Sequence, residues 1–412
     1  MTIALLVISS LYALMTLALW WGWVSIPTAC ATVQPTVPIS VVIPVRNEAQ
    51  NLPHLLADLA RQSYPHFDVI VADDSSTDDT VAVVRRMADG LPYTLTLLPL
   101  PDERTGAPKK RAIAQSIDIA RGELILTTDG DCRVGPDWIL SFASFYEEYH
   151  PKMMTGPVTF TSTKDNISAN VAVQGNQSTE MSSLRAVFSQ LQTIEFASLI
   201  GSGAATLALG TPTMCNGANL CYEKRVFEEV NGFAGIDHVA SGDDELLMHK
   251  IAKRYPSGEH PFGEHPFGEH PFGEHPFGVR FLKSPAAIVE TAPHSTWGAF
   301  YNQRKRWASK WRAYDSWQPS ALAVFVFLSN IAPVLAVLGG ITGAISGPMV
   351  VLIISLKTAP EFLFLRTILT FLEKGRAVRW IPITQLVYPF YVVFFGLAAQ
   401  KKGFTWKGRN LQ

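Results

Sequence analysis

Charge is scarce in this sequence and favours neither sign. Across 412 residues, 34 Lys and Arg stand against 35 Asp and Glu, giving a formal net charge of −1, and charged residues make up 17% of the chain. No basic field is available to draw a nucleic acid, so nucleic-acid binding is not expected. Cysteine is sparse too. Cys30, Cys132, Cys215 and Cys221 show no CxxC spacing, and no histidine lies at ligand spacing from them. They read as reduced thiols of a cytosolic domain, not as a disulfide framework or a zinc site. What is abundant is apolar. The hydrophobic share is 48% and the mean hydropathy is positive, a balance that points to membrane segments. The length suggests one soluble domain plus something else.

Residues 3–24 are uncharged and long enough to cross a bilayer, with Trp20, Trp21 and Trp23 placed as an interfacial belt. Ala29 and Ala31 form a weak signal-cleavage pattern, but no basic region precedes the apolar stretch and the stretch is too long for a signal. An anchor over residues 1–25 is expected, followed by a linker from Ile26 to Pro38. Beyond Trp317 the chain is apolar again. Residues 321–338, 341–356 and 381–399 are candidate spans, the second weakened by Gly343, Gly347 and Pro348. Arg366, Thr370 and Glu373 recur at i, i+4, i+7 beside Phe362, Leu365, Ile368, Leu369 and Leu372, a pattern expected of a helix lying in the interface. Arg304, Lys305, Arg306, Lys310 and Arg312 precede the first C-terminal span and place the soluble domain in the cytosol. Three later spans would then leave Lys401, Lys402, Lys407 and Arg409 outside, against the same rule.

Between these segments strand and helix patterns alternate. ISVVIPV (39–45), FDVIVADD (67–74) and YTLTLLPL (93–100) read as strands. The helices read as 47–62, with Glu48 suited to its start, as 75–90, and as a third through Lys109 to Arg121. The alternation predicts right-handed βαβ units and a mostly parallel sheet, an α/β fold class. After Thr155 the pattern loosens. A helix is expected from Ser182 to Leu199, ahead of a small-residue run (Gly201, Gly203, Ala204, Ala205), and another opens at Glu245. Residues 259–278 are EHPFG repeated four times. Its four histidines are one reading, as metal ligands. A slipped-strand DNA expansion in an exposed loop is the other and the simpler, because lengthening a loop costs little.

The stretch Gly122–Cys132, GELILTTDGDC, carries the most chemistry. Leu124–Leu126 make a short buried strand that ends in Asp129-Gly130-Asp131, the glycine allowing close backbone approach. In open α/β sheets ligands bind beyond such strand ends. Two carboxylates there can hold a hard divalent cation that bridges phosphate oxygens. Asp73-Asp74 and Asp243-Asp244 supply two more acidic sites. Singly, each is more often a solvated turn or a helix cap.

Five motifs in order carry a resemblance. They are IPVRNE (Ile43–Glu48), DDSSTDDT (Asp73–Thr80), Lys109-Lys110 ahead of the DGD strand, SGDDE (Ser241–Glu245), and QRKRW (Gln303–Trp307), a QxxRW pattern. Over roughly Pro38–Trp317 the chain resembles a membrane-bound family 2 glycosyltransferase with a GT-A fold. The resemblance implies a catalytic domain over 38–317, membrane or interfacial helices over 318–400 and a basic tail over 401–412. It implies an integral protein of a bacterial inner (plasma) membrane, with the catalytic domain cytosolic. Pro44, Glu48, Asp73 and Asp74 would line the nucleotide pocket, with Lys109 and Lys110 near the donor. Asp129 would sit by the donor sugar or diphosphate, Asp131 would be the principal ligand of Mg²⁺ or Mn²⁺, and Asp129 would share that metal. Asp244 would be the general base, with Asp243 as its alternative. Gln303, Arg306 and Trp307 would hold the diphosphate and acceptor end. The partners implied are a nucleotide-sugar donor, a lipid or glycan acceptor and the membrane. The implied activity is inverting transfer at the cytosolic face. A processive polysaccharide synthase is the alternative within the class, and an inactive membrane scaffold the alternative outside it. Each residue also has a structural role open to it: Asp73 or Asp74 as a helix cap, Lys109 as a surface lysine, Arg306 and Trp307 as interface anchors, Cys132 as buried filler. One departure is visible, DDSS where DDGS is usual.

Overall fold

The computed structural model of the chain describes residues 1–102, 106–161, 179–239, 241–256, 278–309, 318–398, 404–406 and 409–411. The EHPFG repeat, except Gly278, lies outside them, as do Lys401, Lys402 and Lys407 of the tail. Helix α1 (Thr2–Ser25) is followed by three strand–helix pairs: β1 (Ile39–Val45) with α2 (Leu52–Leu59), β2 (Phe67–Asp73) with α3 (Thr80–Ala88), and β3 (Thr94–Pro99) with α4 (Pro108–Ile119). Next come β4 (Leu124–Thr127), β5 (Cys132–Val134), α5 (Trp138–Tyr149), β6 (Met153–Thr155), β7 (Val158–Phe160) and the long α6 (Thr179–Ala208). Then β8 (Leu220–Glu223), α7 (Lys224–Glu229), α8 (Glu245–Arg254), β9 (Val279–Phe281) and β10 (Val289–Thr291) precede helices α9 (Trp297–Ser309), α10 (Gln318–Ile341), α11 (Gly347–Phe371) and α12 (Ile381–Ala398).

These elements form two compact units. One joins Ser25–Ser162 to Ser202–Ala292; the other joins Met1–Val24, Thr163–Gly201 and Pro293–Gln412. Residues 38–317 are therefore shared between both.

The first unit is built on a seven-stranded sheet of order β3-β2-β1-β4-β8-β6-β9. Strands β3, β2, β1 and β4 are parallel, with Ile39 opposite both Phe67 and Leu124. β8 runs antiparallel to β4 and β6, and β9 is parallel to β6. Ile39, Val41, Val42, Ile43, Leu124, Ile125 and Leu126 are completely buried. Burial of both strand faces is what an uninterrupted apolar run anticipates in a covered parallel sheet, at about 1.5–3 kcal/mol per large side chain. Pro44 fits inside β1 for a local reason. The β1–β4 ladder ends at Val42 opposite Thr127, with Thr128 donating to the Val42 carbonyl, so at residue 44 no amide donor is needed on that side. A second sheet, of order β5-β10-β7, takes up the chain just beyond the DGD loop.

Two helix readings need correction here. α2 starts at Leu52, with a proline in its first turn and no acidic residue there. Asn47 lies in the left-handed region at φ 55°, and the Glu48 carbonyl accepts from the amides of Asn51 and Leu52. Glu48 thus sits in the turn before the helix. α6 continues through the small-residue run, where side chains would not fit. A Cβ on Gly201 would lie 2.0 Å from Ile368, and one on Gly203 would lie 2.7 Å from the Met214 carbonyl.

In the second unit, Thr2–Ser25, Ala321–Ile341 and Gly347–Phe371 are long and apolar enough to cross a membrane by length and composition. The expected span at 341–356 and the expected interfacial helix are one continuous helix, α11. Gly347 and Pro348 open it instead of weakening it, since proline is at ease in a first helical turn. Gly343, at φ 76°, belongs to the turn before. The exposed Arg366 and Thr370 and the buried Phe364, Leu365, Ile368 and Leu369 are opposite faces of its final turns. Inside α11, Lys357 pairs with Glu361 at 2.9 Å, and the Tyr12 hydroxyl of α1 donates to the same carboxylate. An apolar helix can carry two such charges because each supplies the other's partner.

Candidate active site

The parallel register brings the C-terminal ends of β1, β2 and β4 to one edge of the first unit. Pro44, Glu48, Asp73, Asp74, Asp129 and Asp131 all lie on the last residues of these strands or in the loops that leave them. The β1 and β2 loops interlock. Asn47 donates its amide to Ser76 Oγ, and its side-chain oxygen accepts from the Thr77 amide. Ser75 holds φ 56°, a conformation in which glycine is at ease and a side chain is strained. Its hydroxyl donates to the Leu100 carbonyl at 3.1 Å, which offsets part of that cost and gives DDSS a physical account.

Both aspartates at the end of β2 are buried, Asp73 at 3% and Asp74 at 2% exposure. Asp74 pairs with Arg111 at 2.9 Å, and its carbonyl accepts from Arg46. Asp73 Oδ2 accepts from the Ser76 amide at 3.0 Å, while Oδ1 is buried with no hydrogen-bond partner among the described residues. A buried acceptor without a donor costs about 1–3 kcal/mol, and a ligand N–H or O–H would relieve it. Glu48 is buried, receives the Asn51 amide group on Oε2 and donates its own amide to Thr80. Gly130 lets the DGD loop close down here, for a Cβ would stand 2.9 Å from Val45 Cγ1 and 3.2 Å from Glu48 Cγ.

Lys109 joins two of the three acidic sites. Its ammonium lies 2.8 Å from Asp129 Oδ1 and 3.1 Å from Asp243 Oδ2. Burial by itself would lower its pKa, but the carboxylates of Asp129 and Asp243, and more weakly Asp244, outweigh burial and raise it. Lys109 is therefore a fixed cation. Lys110, its neighbour in sequence, is turned to other partners and donates to the carbonyls of Ile236 and Val239 at 2.6 and 2.9 Å. Asp131 is exposed on the loop. Burial and then the charges of Asp131 and Asp129 hold the neighbouring Cys132 thiol well above its ordinary pKa.

The acidic pair is held in two ways. Asp244 caps α8, accepting from the Glu245 amide at 2.7 Å on Oδ1 and from the Gly217 amide at 3.0 Å on Oδ2. Asp243 faces Lys109. Gly217 makes room for both, since a Cβ there would lie 3.1 Å from Asp243 Oδ2 and 3.4 Å from the Lys109 ammonium. Thr127 at the end of β4 fixes Gly217 by donating to its carbonyl at 2.8 Å.

Gln303, Arg306 and Trp307 belong to the other unit, on α9. Sequence reasoning passed over Arg46, Arg111 and Gly217. Arg46 lies inside IPVRNE and Arg111 extends the Lys109-Lys110 run, so both carried a visible signal; Gly217 carried none. A cleft of about 470 Å³ lined by Glu123, Tyr146, His150, Lys152, Glu223 and Arg225 lies at the start of β4, the end opposite Asp129, and holds none of the candidates.

Residues 124–399 match the profile of glycosyl transferase family group 2, well over half of the chain. The chain belongs to the family 2 glycosyltransferases. Residues 40–188 also match the narrower description, glycosyl transferase family 2. This glycosyltransferase is 31% identical over 117 residues to poly(ribitol-phosphate) β-N-acetylglucosaminyltransferase TarS of Staphylococcus aureus, covering 28% of the present chain and 20% of TarS. It is 33% identical over 121 residues to dodecaprenyl-phosphate galacturonate synthase of Rhizobium johnstonii, covering 29% of this chain and 35% of that protein. The match thus spans a fifth to about a third of these relatives. Among solved structures, the mannosyltransferase PcManGT from Pyrobaculum calidifontis, in complex with GDP-Man and Mn²⁺, aligns over 94% of this chain and 99% of its own at a TM-score of 0.52 and 18% identity. At that identity the likeness concerns the GT-A fold.

Proposed function

We propose that this glycosyltransferase moves a sugar, with inversion, from a nucleotide-sugar donor to a lipid or glycan acceptor at the cytosolic face of a membrane. The observation that carries the reading is the Asp129–Lys109–Asp243 chain at the strand ends, with Asp131 exposed beside it. A diphosphate leaving group needs positive charge at a fixed position, and Lys109 is a cation whose proton its carboxylate neighbours hold in place. Asp73, with its buried unpaired oxygen, takes a base N–H or ribose hydroxyl; Pro44, Glu48 and Asp74 shape the pocket around it. Lys110 keeps the 236–239 loop in place.

The residues fit a divalent cation that arrives with the donor better than a standing metal cage. Among the described residues no group of three or more His, Cys, Asp or Glu is placed to hold one. Asp131 and Asp129 offer two carboxylates, and Mg²⁺ characteristically takes one or two carboxylates and completes its shell with phosphate and water. When bound, Mg²⁺ or Mn²⁺ would neutralise charge on the departing diphosphate. PcManGT, described with GDP-Man and Mn²⁺, supports that choice of ion.

Inversion needs a single base for the acceptor hydroxyl and no protein nucleophile. Asp244 is assigned that role, because two backbone donors fix its orientation and a carboxylate has about four acceptor positions. Asp243 is the alternative, weakened by its engagement with Lys109. The resemblance assigns Gln303, Arg306 and Trp307 to the diphosphate and acceptor end on the motif alone. The cytosolic placement rests on Arg304, Lys305, Arg306, Lys310 and Arg312 ahead of the apolar 321–341 segment, and the poly(ribitol-phosphate) and dodecaprenyl-phosphate in the names of the two bacterial relatives support a bacterial inner membrane.

The test is transfer from a panel of labelled UDP- and GDP-sugars to membrane extracts by the full chain in detergent. One donor should give turnover with Mg²⁺ or Mn²⁺, and excess EDTA should abolish it. Undiminished transfer in EDTA would remove the metal from the reading, and no turnover with any donor would remove the reading itself.

A further inference from the structure

The QxxRW pattern leaves its second residue, Arg304, without a role, yet Arg304 is the most deeply enclosed of the group at 3% exposure. Its guanidinium forms a two-pronged pair with Glu195 of α6, Nε donating to Oε1 at 2.8 Å and Nη2 to Oε2. Tyr391 of α12 donates to the same Oε1 at 2.8 Å. The other side of Arg304 reaches the motif itself. Nη1 donates to Gln303 Oε1, and the guanidinium plane stands 4.3 Å from the Trp307 ring and 4.5 Å from the Phe300 ring. Trp307 is stacked in turn on Phe196, at 6.0 Å between centroids and 23° between planes. Gln192 clasps the backbone just before α9, accepting from the His294 amide and donating to its carbonyl, both at 3.0 Å. Gln192, Glu195 and Phe196 fall at i, i+3, i+4 and share one face of α6.

We propose that Glu195 is a positioning residue for Gln303 and Trp307, acting through Arg304. This rests on the reading that those two residues serve transfer. A fork-to-fork carboxylate–guanidinium pair fixes direction as well as distance. Gln303 and Trp307 each touch Arg304, so the orientation of the motif is set from α6. Charge is essential to the device, because removing one member leaves the other buried without its counter-ion. The pair is internal to one unit and does not share residues with the carboxylates of the other, so the nucleotide end of the donor keeps its grip on Asp73, Asp74 and Glu48 while the loss falls on transfer.

The experiment uses the full chain in detergent and whichever UDP- or GDP-sugar of the panel gives the highest turnover. Glu195→Gln should lower kcat by about 10–100-fold, the scale of a 1 Å misplacement, while the donor KM stays within about threefold. Arg304→Met should do the same, and the double variant should fall no further than the worse single one, as expected of residues acting as a unit. Tyr391→Phe removes one hydrogen bond and should cost about 2–10-fold in kcat, which keeps the inference testable if Glu195→Gln does not fold. Parental kcat in Glu195→Gln would overturn the proposal. So would a Tyr391→Phe variant at parental kcat beside a Glu195→Gln variant that loses folding and donor binding together, for Glu195 would then only hold the fold. Trp307→Ala distinguishes the underlying reading: parental transfer there means the motif does not serve the reaction, whatever Glu195 does.

Discussion

Asp244 has two duties that an amide can separate. As a helix cap it needs only an oxygen that accepts from backbone amides, and asparagine caps about as well as aspartate. As a base it needs a carboxylate. Asp244→Asn should therefore keep α8 and nucleotide-sugar affinity while transfer falls about 10²–10⁴-fold, measured as turnover beside direct donor binding. Asp243→Asn should act differently, loosening Lys109 and weakening donor binding as well. If Asp243→Asn alone abolishes transfer with affinity intact, the base is Asp243. Gly122 makes a second residue-scale case, on packing. A Cβ there would lie 2.3 Å from the Ser40 amide nitrogen and 2.6 Å from the Ile39 carbonyl carbon, backbone atoms of a central strand that cannot swing aside. Gly122→Ala should cost about 1–3 kcal/mol or more, seen as a lower midpoint in thermal unfolding. A midpoint within a degree of the parent would mean that β4 can shift outward freely.

At the scale of elements, α8 carries a pH dependence with a definite sign. Burial holds His249 below its ordinary pKa of 6.5, with the backbone bond to Thr213 pulling the other way. The unfolded chain therefore takes up the proton first, and stability falls as pH drops below about 6.5 toward the folded value. The loss of unfolding midpoint between pH 7.5 and pH 5.5 should shrink in His249→Gln; an unchanged loss would assign it to other groups. His294, also lowered by burial, should act in the same direction on the remainder. The same scale separates what the sequence reveals from what it hides. β1 is legible to the residue because ISVVIPV is bounded by Pro38 on one side and by the polar Arg46-Asn47-Glu48 on the other, and needs only burial to explain it. The start of α2 was not, because the left-handed turn at Asn47 is held by Ser76 and Thr77, some thirty residues on. α11 was misread because Gly347 and Pro348 look alike whether they break a helix or begin one. Lys109 and Lys110 are indistinguishable as letters. On a helix they point about 100° apart, and only the fold shows that one meets Asp129 and Asp243 while the other holds a loop.

For the whole molecule, the EHPFG repeat asks whether twenty inserted residues matter to either unit. Its boundaries give an answer. Gly278 lies so close to the end of α8 that a Cβ on it would come within 1.9 Å of the Tyr255 carbonyl oxygen, and its own carbonyl accepts from the Met153 amide at 2.9 Å. The two ends of the loop already meet, and the position that joins them to β9 requires glycine. Deleting Glu259–Gly278 sets Gly258 directly before Val279, which supplies that glycine and leaves Pro256 and Ser257 to make the turn. Four residues from Tyr255 to the new glycine are enough for a β-turn, whose ends lie within about 7 Å. Each doubling of loop length costs only about 0.6 kcal/mol, so the deletion should stabilise the first unit by about 2 kcal/mol at most. None of Asp73, Asp129, Asp131, Asp243 or Asp244 lies in the deleted stretch. The shortened chain should melt at or slightly above the parental temperature and retain metal-dependent transfer within about threefold, by the donor-panel assay run with and without EDTA. A deletion that still folds but no longer responds to Mg²⁺ or Mn²⁺ would return the four histidines, His260, His265, His270 and His275, to the catalytic account as metal ligands.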